Sequence, residues 1–78
     1  MEEIPERIAN DITAFNDNLK TLNEHKLGPQ ELEILRLAKD YCDDAKSWLD
    51  KKDFYSLFAS ISYAHGLLDA LLRLNNEP

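Results

Sequence analysis

Residues 54–74 read FYSLFASISYAHGLLDALLRL. Apolar positions in this stretch recur every three or four residues, the period of one face of an α-helix, and never alternate as a half-buried strand would. On a helical wheel Phe54, Leu57, Phe58, Ile61, Ala64, His65, Leu68, Leu71 and Leu72 share one broad face, which Leu67 and Leu74 widen. Asp53 precedes it as a good N-cap, and the polar Asn75-Asn76-Glu77-Pro78 follows. An apolar face this wide predicts a central helix with two others packed on it.

Working back from Asp53, residues 29–50 form the second helix. Pro29 suits a first helical position, where its missing N–H costs nothing, and Glu31 and Glu33 match the helix dipole. Leu35, Ala38, Cys42, Ala45 and Leu49 make one apolar row; Ile34, Tyr41 and Trp48 make a second, with Leu37 at its edge. Two rows imply two neighbours. The first helix is expected over about residues 5–24, from Pro5, with Glu2, Glu3 and Glu6 near its start. Its stripe of Ile4, Ile8, Ile12, Phe15, Leu19 and Leu22 is one thin seam, so this helix should detach most easily. Leu27-Gly28-Pro29 is expected to stop it. Short loops make sequential helices antiparallel. The expected fold is all-α, a three-helix up-and-down antiparallel bundle, with residues 1–78 as a single domain.

A chain of 78 residues has one core. It buries only roughly 60% of the surface its unfolded form exposes, so it is marginal without a staple or a partner. Its single cysteine, Cys42, excludes an internal disulfide and reads as a small buried hydrophobe in a reducing cytoplasm. Met1-Glu2-Glu3-Ile4-Pro5-Glu6-Arg7 lacks the cationic start and apolar run of an export signal. The most apolar stretch, Ile61 to Leu74, is interrupted by Ser62, His65, Gly66, Asp69 and Arg73, too short and too polar to span a bilayer. Nine basic residues against fifteen acidic ones give a net charge of −6. Such a balance repels phosphate backbones and anionic lipid, so neither nucleic acid nor membrane is an expected partner.

Ser62, Gly66 and Ala70 recur every four residues, with Ala59 on the same strip, Tyr55 and Tyr63 beside it and Arg73 near its end. Glycine inside a helix costs roughly 1 kcal/mol relative to alanine, which gives Gly66 a packing reason. Small residues let another helix backbone come close. Either the first helix fills this groove, or a second subunit or partner helix docks there with the tyrosines as anchors.

His65 and Asp69, four residues apart, are adjacent on one helical face. A histidine oriented by a carboxylate is half of a general-base or metal site. No serine or cysteine nucleophile stands beside the pair in sequence, and Ser62 is the one that could approach in space. The structural reading is a core histidine satisfied by Asp69, or by Tyr41 across the turn. On the second helix Glu33, Asp40 and Asp44 line one flank beside Leu37 and Trp48, but the Glu-x-x-His of di-metal bundles does not occur. Lys39, Asp43, Lys46 and Asp50 alternate in sign, as solvated faces do. His25 falls in the first loop. Two glycines make no phosphate loop, and one cysteine with two histidines makes no zinc pattern. No cofactor is expected.

Asp44-Ala45-Lys46, Lys51-Lys52-Asp53-Phe54 and Tyr63-Ala64-His65-Gly66-Leu67-Leu68-Asp69-Ala70 together resemble a family of small archaeal helical domains of unknown function. The likeness covers helices two and three well and helix one loosely. It implies a three-helix bundle, an archaeal source and a cytoplasmic setting, and no activity. Members often carry glycine where Lys52 stands, and an acidic residue can stand where His65 is. Tyr63, Gly66, Leu67, Asp69 and Arg73 are also similar to the Y-x-x-G-x-x-D helix of translin-type RNA-associated proteins, a likeness the acidic balance opposes.

The function expected from these residues is non-enzymatic: a helical interaction module, binding a protein partner or a second copy as a homodimer through Tyr55, Ala59, Ser62, Tyr63, Gly66, Ala70 and Arg73. The rival is a small enzyme or a ligand- or metal-binding domain using His65, Asp69 and Tyr41.

Overall fold

The computed structural model describes residues 3–76, and side chains from residue 6 to residue 75. The expectations placed on Glu2, on the side chains of Glu3, Ile4, Pro5 and Asn76, and on Glu77-Pro78 therefore lie outside the described residues; Asn75 and Asn76, expected in a polar tail, continue α3 beyond Leu74. The elements, in order, are α1 (Glu3–Lys20), a 3-10 turn (Glu24–Lys26), α2 (Pro29–Asp50) and α3 (Phe54–Asn76). This is an all-α three-helix bundle.

Gly28 is not what ends α1. The helix stops at Lys20, four residues earlier than the apolar spacing predicts, and the reason is local. Thr21 turns its hydroxyl onto the Asn18 carbonyl at 2.7 Å, and its N–H bonds the same oxygen at 3.1 Å, which tightens the last turn. Asn23 then caps the 3-10 turn by accepting the His25 N–H at 3.1 Å. Leu22 is buried even so, from outside the helix. Gly28 instead caps α2, and Glu31 reaches back to its N–H at 3.2 Å. Gly28 has no side chain to return the bond, so half a capping box holds this end.

The α2–α3 turn is tighter. Lys52 has φ of 59°, the left-handed conformation in which helices commonly end. Its N–H bonds the Leu49 carbonyl at 3.0 Å and the Asp53 N–H bonds the Trp48 carbonyl at 3.0 Å, the two reverse bonds of a Schellman ending. Asp53 then serves the next helix, accepting the Ser56 N–H at 3.1 Å and the Ser56 hydroxyl at 2.9 Å. One three-residue turn thus closes α2 and opens α3.

Helix α3 is the centre of the bundle, packing extensively on α2 and less so on α1, while α1 and α2 barely touch. The core runs along it through Leu57, Ile61, Ala64, Leu68 and Leu71, met by Leu35, Ala38, Cys42 and Ala45 from α2 and by Ile8 and Phe15 from α1. Ile8 and Phe15 are essentially sealed from water. Each contributes about 1.5–3 kcal/mol to holding α1 in place. Asn75 ties the far end of α3 to the start of α2, donating to Glu31 Oε2 at 2.9 Å and to the Leu71 carbonyl at 2.8 Å. That contact and the Tyr41–Tyr63 ring contact fix α2 and α3 as antiparallel.

Candidate interaction face

Helix α1 covers one side of the α2–α3 pair. On that side Phe15, Asn16 and Leu19 line a shallow cleft with Lys39, Cys42, Asp43 and Lys46 of α2. Beside the core contacts, His65 ties α3 to α1. Its Nε2 lies 2.9 Å from the Asp11 carbonyl oxygen, and since a carbonyl only accepts, the Nε2–H is the donor. Its ring stands edge-on to Phe15, centroids 5.8 Å apart.

The second apolar row of α2 points to the other side of the pair, because Ile34, Leu37, Tyr41 and Trp48 lie about 90° further round the helix than Leu35, Cys42 and Ala45. On α3 the matching positions are Ala59, Tyr63, Gly66, Leu67, Ala70 and Leu74. Tyr41 and Tyr63 meet at the middle, centroids 4.6 Å apart. Counted from that contact, the antiparallel register sets Leu37 level with Leu67, and Ile34 with Ala70. No helix among the described residues covers this face. Ile34 is 36% exposed, Leu37 41% and Tyr63 50%. Ala59, Gly66 and Ala70 are exposed as well, and a Cβ built on Gly66 meets nothing within 4 Å. The first helix therefore does not fill the small-residue groove. Ser62, Tyr55 and Arg73 are exposed at its outer rim. Between Ala59 and Leu74 the face is about 22 Å long, some four helical turns.

Its two edges differ in charge. Beside Leu37 and Trp48 stand Glu33, Asp40 and Asp44, all exposed. The ion pairs among the described residues engage other carboxylates: Asp17 with Lys20, Glu24 with Lys39, and Asp43 with Lys46. Along α3 the strip of Ala59, Gly66 and Ala70 is small and uncharged, with Arg73 at the rim beyond it. At the turn end Lys51 sits 5.0 Å over the Trp48 ring.

Of the residues grouped on sequence as a polar pair, His65 and Tyr41 are half-buried, on opposite sides of the α2–α3 pair. The partner of His65 is Asp11 across to α1 rather than Asp69 or Tyr41; Asp69 is exposed, and Tyr41 stacks on Tyr63. Cys42 is buried, and that burial pushes its thiol above the ordinary range, with a smaller lowering by Lys46 and a smaller further rise from Asp43. Among the described residues no group of three or more His, Cys, Asp or Glu side chains is placed to hold a metal. No described helix is long and apolar enough to cross a membrane.

Reading α3 alone finds half of this face. The other half, Ile34, Leu37, Tyr41 and Trp48, was signalled by the second apolar row of α2. With α1 confined to the opposite side, that row has no third helix to meet.

A family model described as "Protein of unknown function (DUF357)" matches residues 10–76, and the chain belongs to that family. Neither a curated protein nor a solved structure matches it.

Proposed function

We propose that this member of the family is a non-enzymatic helical interaction module, which seats a further helix on the uncovered face of α2 and α3. One observation carries the reading: the α2–α3 pair is apolar on two sides and α1 occupies one. Leu37 and Tyr63 stay about half in water at the centre of the other, beside a glycine with open space above it. Contiguous apolar surface of this kind is typical of partner sites, and small residues permit close backbone approach. A buried free thiol suits work in a reducing cytoplasm. A His65–Asp69 catalytic pair draws no support, because His65 spends its Nε2–H on α1 and Asp69 faces solvent.

The test compares the chain with Leu37→Asp and Gly66→Leu variants. Sedimentation over a concentration series reads self-association, and titration with amphipathic helical peptides reads partner binding. The single tryptophan, Trp48, reports from the end of the face. Wild type should take a helix, its own or the peptide's, and both variants should lose it with helicity intact. Binding that survives both substitutions but fails with Lys46→Asp would belong to the α1 side and defeat the proposal.

A further inference from the structure

We infer that the helix received on this face carries basic residues along the edge that lies beside α2. The inference rests on the reading just given and adds the chemistry of the partner. Glu33, Asp40 and Asp44 fall on one flank of α2 over about 16 Å, three turns; Arg36 lines the same cleft as Glu33 and Asp40, yet among the described residues no ion pair joins a cation to any of the three, and three carboxylates against one guanidinium leave the flank negative. A helix lying on Leu37 and Tyr63 brings its own flank against these carboxylates. Lysines or arginines spaced three or four apart there meet opposite charge; acidic residues meet like charge as water leaves. The other flank of the incoming helix meets Ala59, Gly66 and Ala70, which admit small side chains at close range.

A second copy of this chain fits the same face poorly. Two faces joined about a twofold axis set the acidic flank of α2 against either another α2 or α3. Another α2 brings the same three carboxylates against one Arg36, and helix α3 offers one cation, Arg73, between Phe54 and Asn76. Each copy also brings a net charge of −6. Charge complementarity therefore favours a basic, amphipathic helix from a different chain.

Three synthetic helical peptides of about eighteen residues, long enough to span the face, separate these outcomes. All share one leucine and alanine stripe; the flank is lysine, glutamine or glutamate. With Trp48 emission as readout, the lysine peptide should bind about tenfold tighter than the glutamine peptide, and the glutamate peptide weakest. The Glu33→Gln, Asp40→Asn, Asp44→Asn triple variant should erase that order. A control triple, Asp17→Asn, Asp43→Asn, Asp50→Asn, has the same net charge and should keep it. Equal affinities for the three peptides overturn the inference, as does an equal loss of preference in both triples. Self-association abolished by Leu37→Asp also overturns it, giving the face to a second copy and leaving the interaction reading standing. Failure of every peptide to bind, in a chain that stays monomeric, defeats both.

Discussion

Tyr41 of α2 and Tyr63 of α3 meet edge to face, ring centroids 4.6 Å apart and planes at 85°. Edge-to-face pairs place the positive rim of one ring on the negative face of the other and contribute about 0.5–1.5 kcal/mol beyond area burial. Half exposure of Tyr63 puts this pair toward the lower end. A double-mutant cycle with Tyr41→Ala and Tyr63→Ala, read by urea denaturation, should give a coupling of about 0.5–1 kcal/mol. The same cycle with Tyr55, which is 87% exposed, should give none. Equal coupling in both cycles would mean that the contact is not specific.

His65 ties α3 to α1 through the Asp11 carbonyl and the edge of Phe15. His65→Ala removes one hydrogen bond and one ring contact, an expected loss of about 1–2 kcal/mol. Asp69→Ala, at an exposed site, should stay within about 0.5 kcal/mol. Hydrogen exchange should place the damage in the amides of α1. If Asp69→Ala costs as much as His65→Ala, the two act as a pair and the assignment to α1 is wrong.

The three helices and their order follow from apolar spacing alone, since a 3.6-residue period survives any arrangement that buries one face. The start of α2 at Pro29 and the start of α3 after Asp53 were legible because capping chemistry is local. The end of α1 was not. Leu22 continues the apolar stripe and is buried, yet the Thr21 hydroxyl and the Asn23 side chain have already turned the chain aside. The partner of His65 was illegible for another reason. A backbone carbonyl on a separate helix leaves no mark in the residue types, whereas Asp69 at i+4 does. The uncovered face was half legible, as a small-residue strip on α3. Its continuation across α2 depended on which side α1 chose, a matter of packing between elements rather than of pattern within one.

Lys52 holds a left-handed conformation at the end of α2, where a Cβ costs roughly 1–2 kcal/mol and glycine suffers no such clash. Part of that gain is offset by glycine's greater freedom when unfolded. Lys52→Gly should therefore stabilise the chain by about 0.5–1 kcal/mol, read as a higher denaturation midpoint. Asp53→Ala, one residue on, removes the cap of α3 and should cost about 1 kcal/mol. A destabilising Lys52→Gly would show that the Lys52 side chain makes a contribution larger than its backbone strain.

Glu31 accepts from the Asn75 amide and from the Gly28 N–H, and these two bonds hold its carboxyl below the ordinary value of 4.5. A carboxyl whose folded pKa is depressed stabilises the fold when ionised. Its contribution is complete above about 4.5 and is lost as the pH falls from there through the lower folded value. Glu31→Gln should lower the denaturation midpoint at neutral pH and lose less than wild type on acidification. Curves that stay parallel from neutral pH to well below 4.5 would separate Glu31 from the acid sensitivity of the bundle.

On the proposed reading, Gly66 sets stability against binding. It lies inside α3 with free space where a Cβ would stand. In the isolated chain, Gly66→Ala should raise stability by roughly 1 kcal/mol, because alanine loses less backbone freedom and adds no clash. Gly66→Leu keeps most of that gain, since leucine is also a good helix former. In the proposed complex the same positions would be read by the incoming backbone: a methyl would be tolerated with a small shift, and an isobutyl group would hold the partner off. Stability should therefore rise for both variants while helix binding weakens slightly for alanine and severely for leucine, as measured by thermal denaturation and by Trp48 titration. If leucine at position 66 leaves binding unchanged, the partner does not cross α3 there, and the glycine owes its place to something other than close approach.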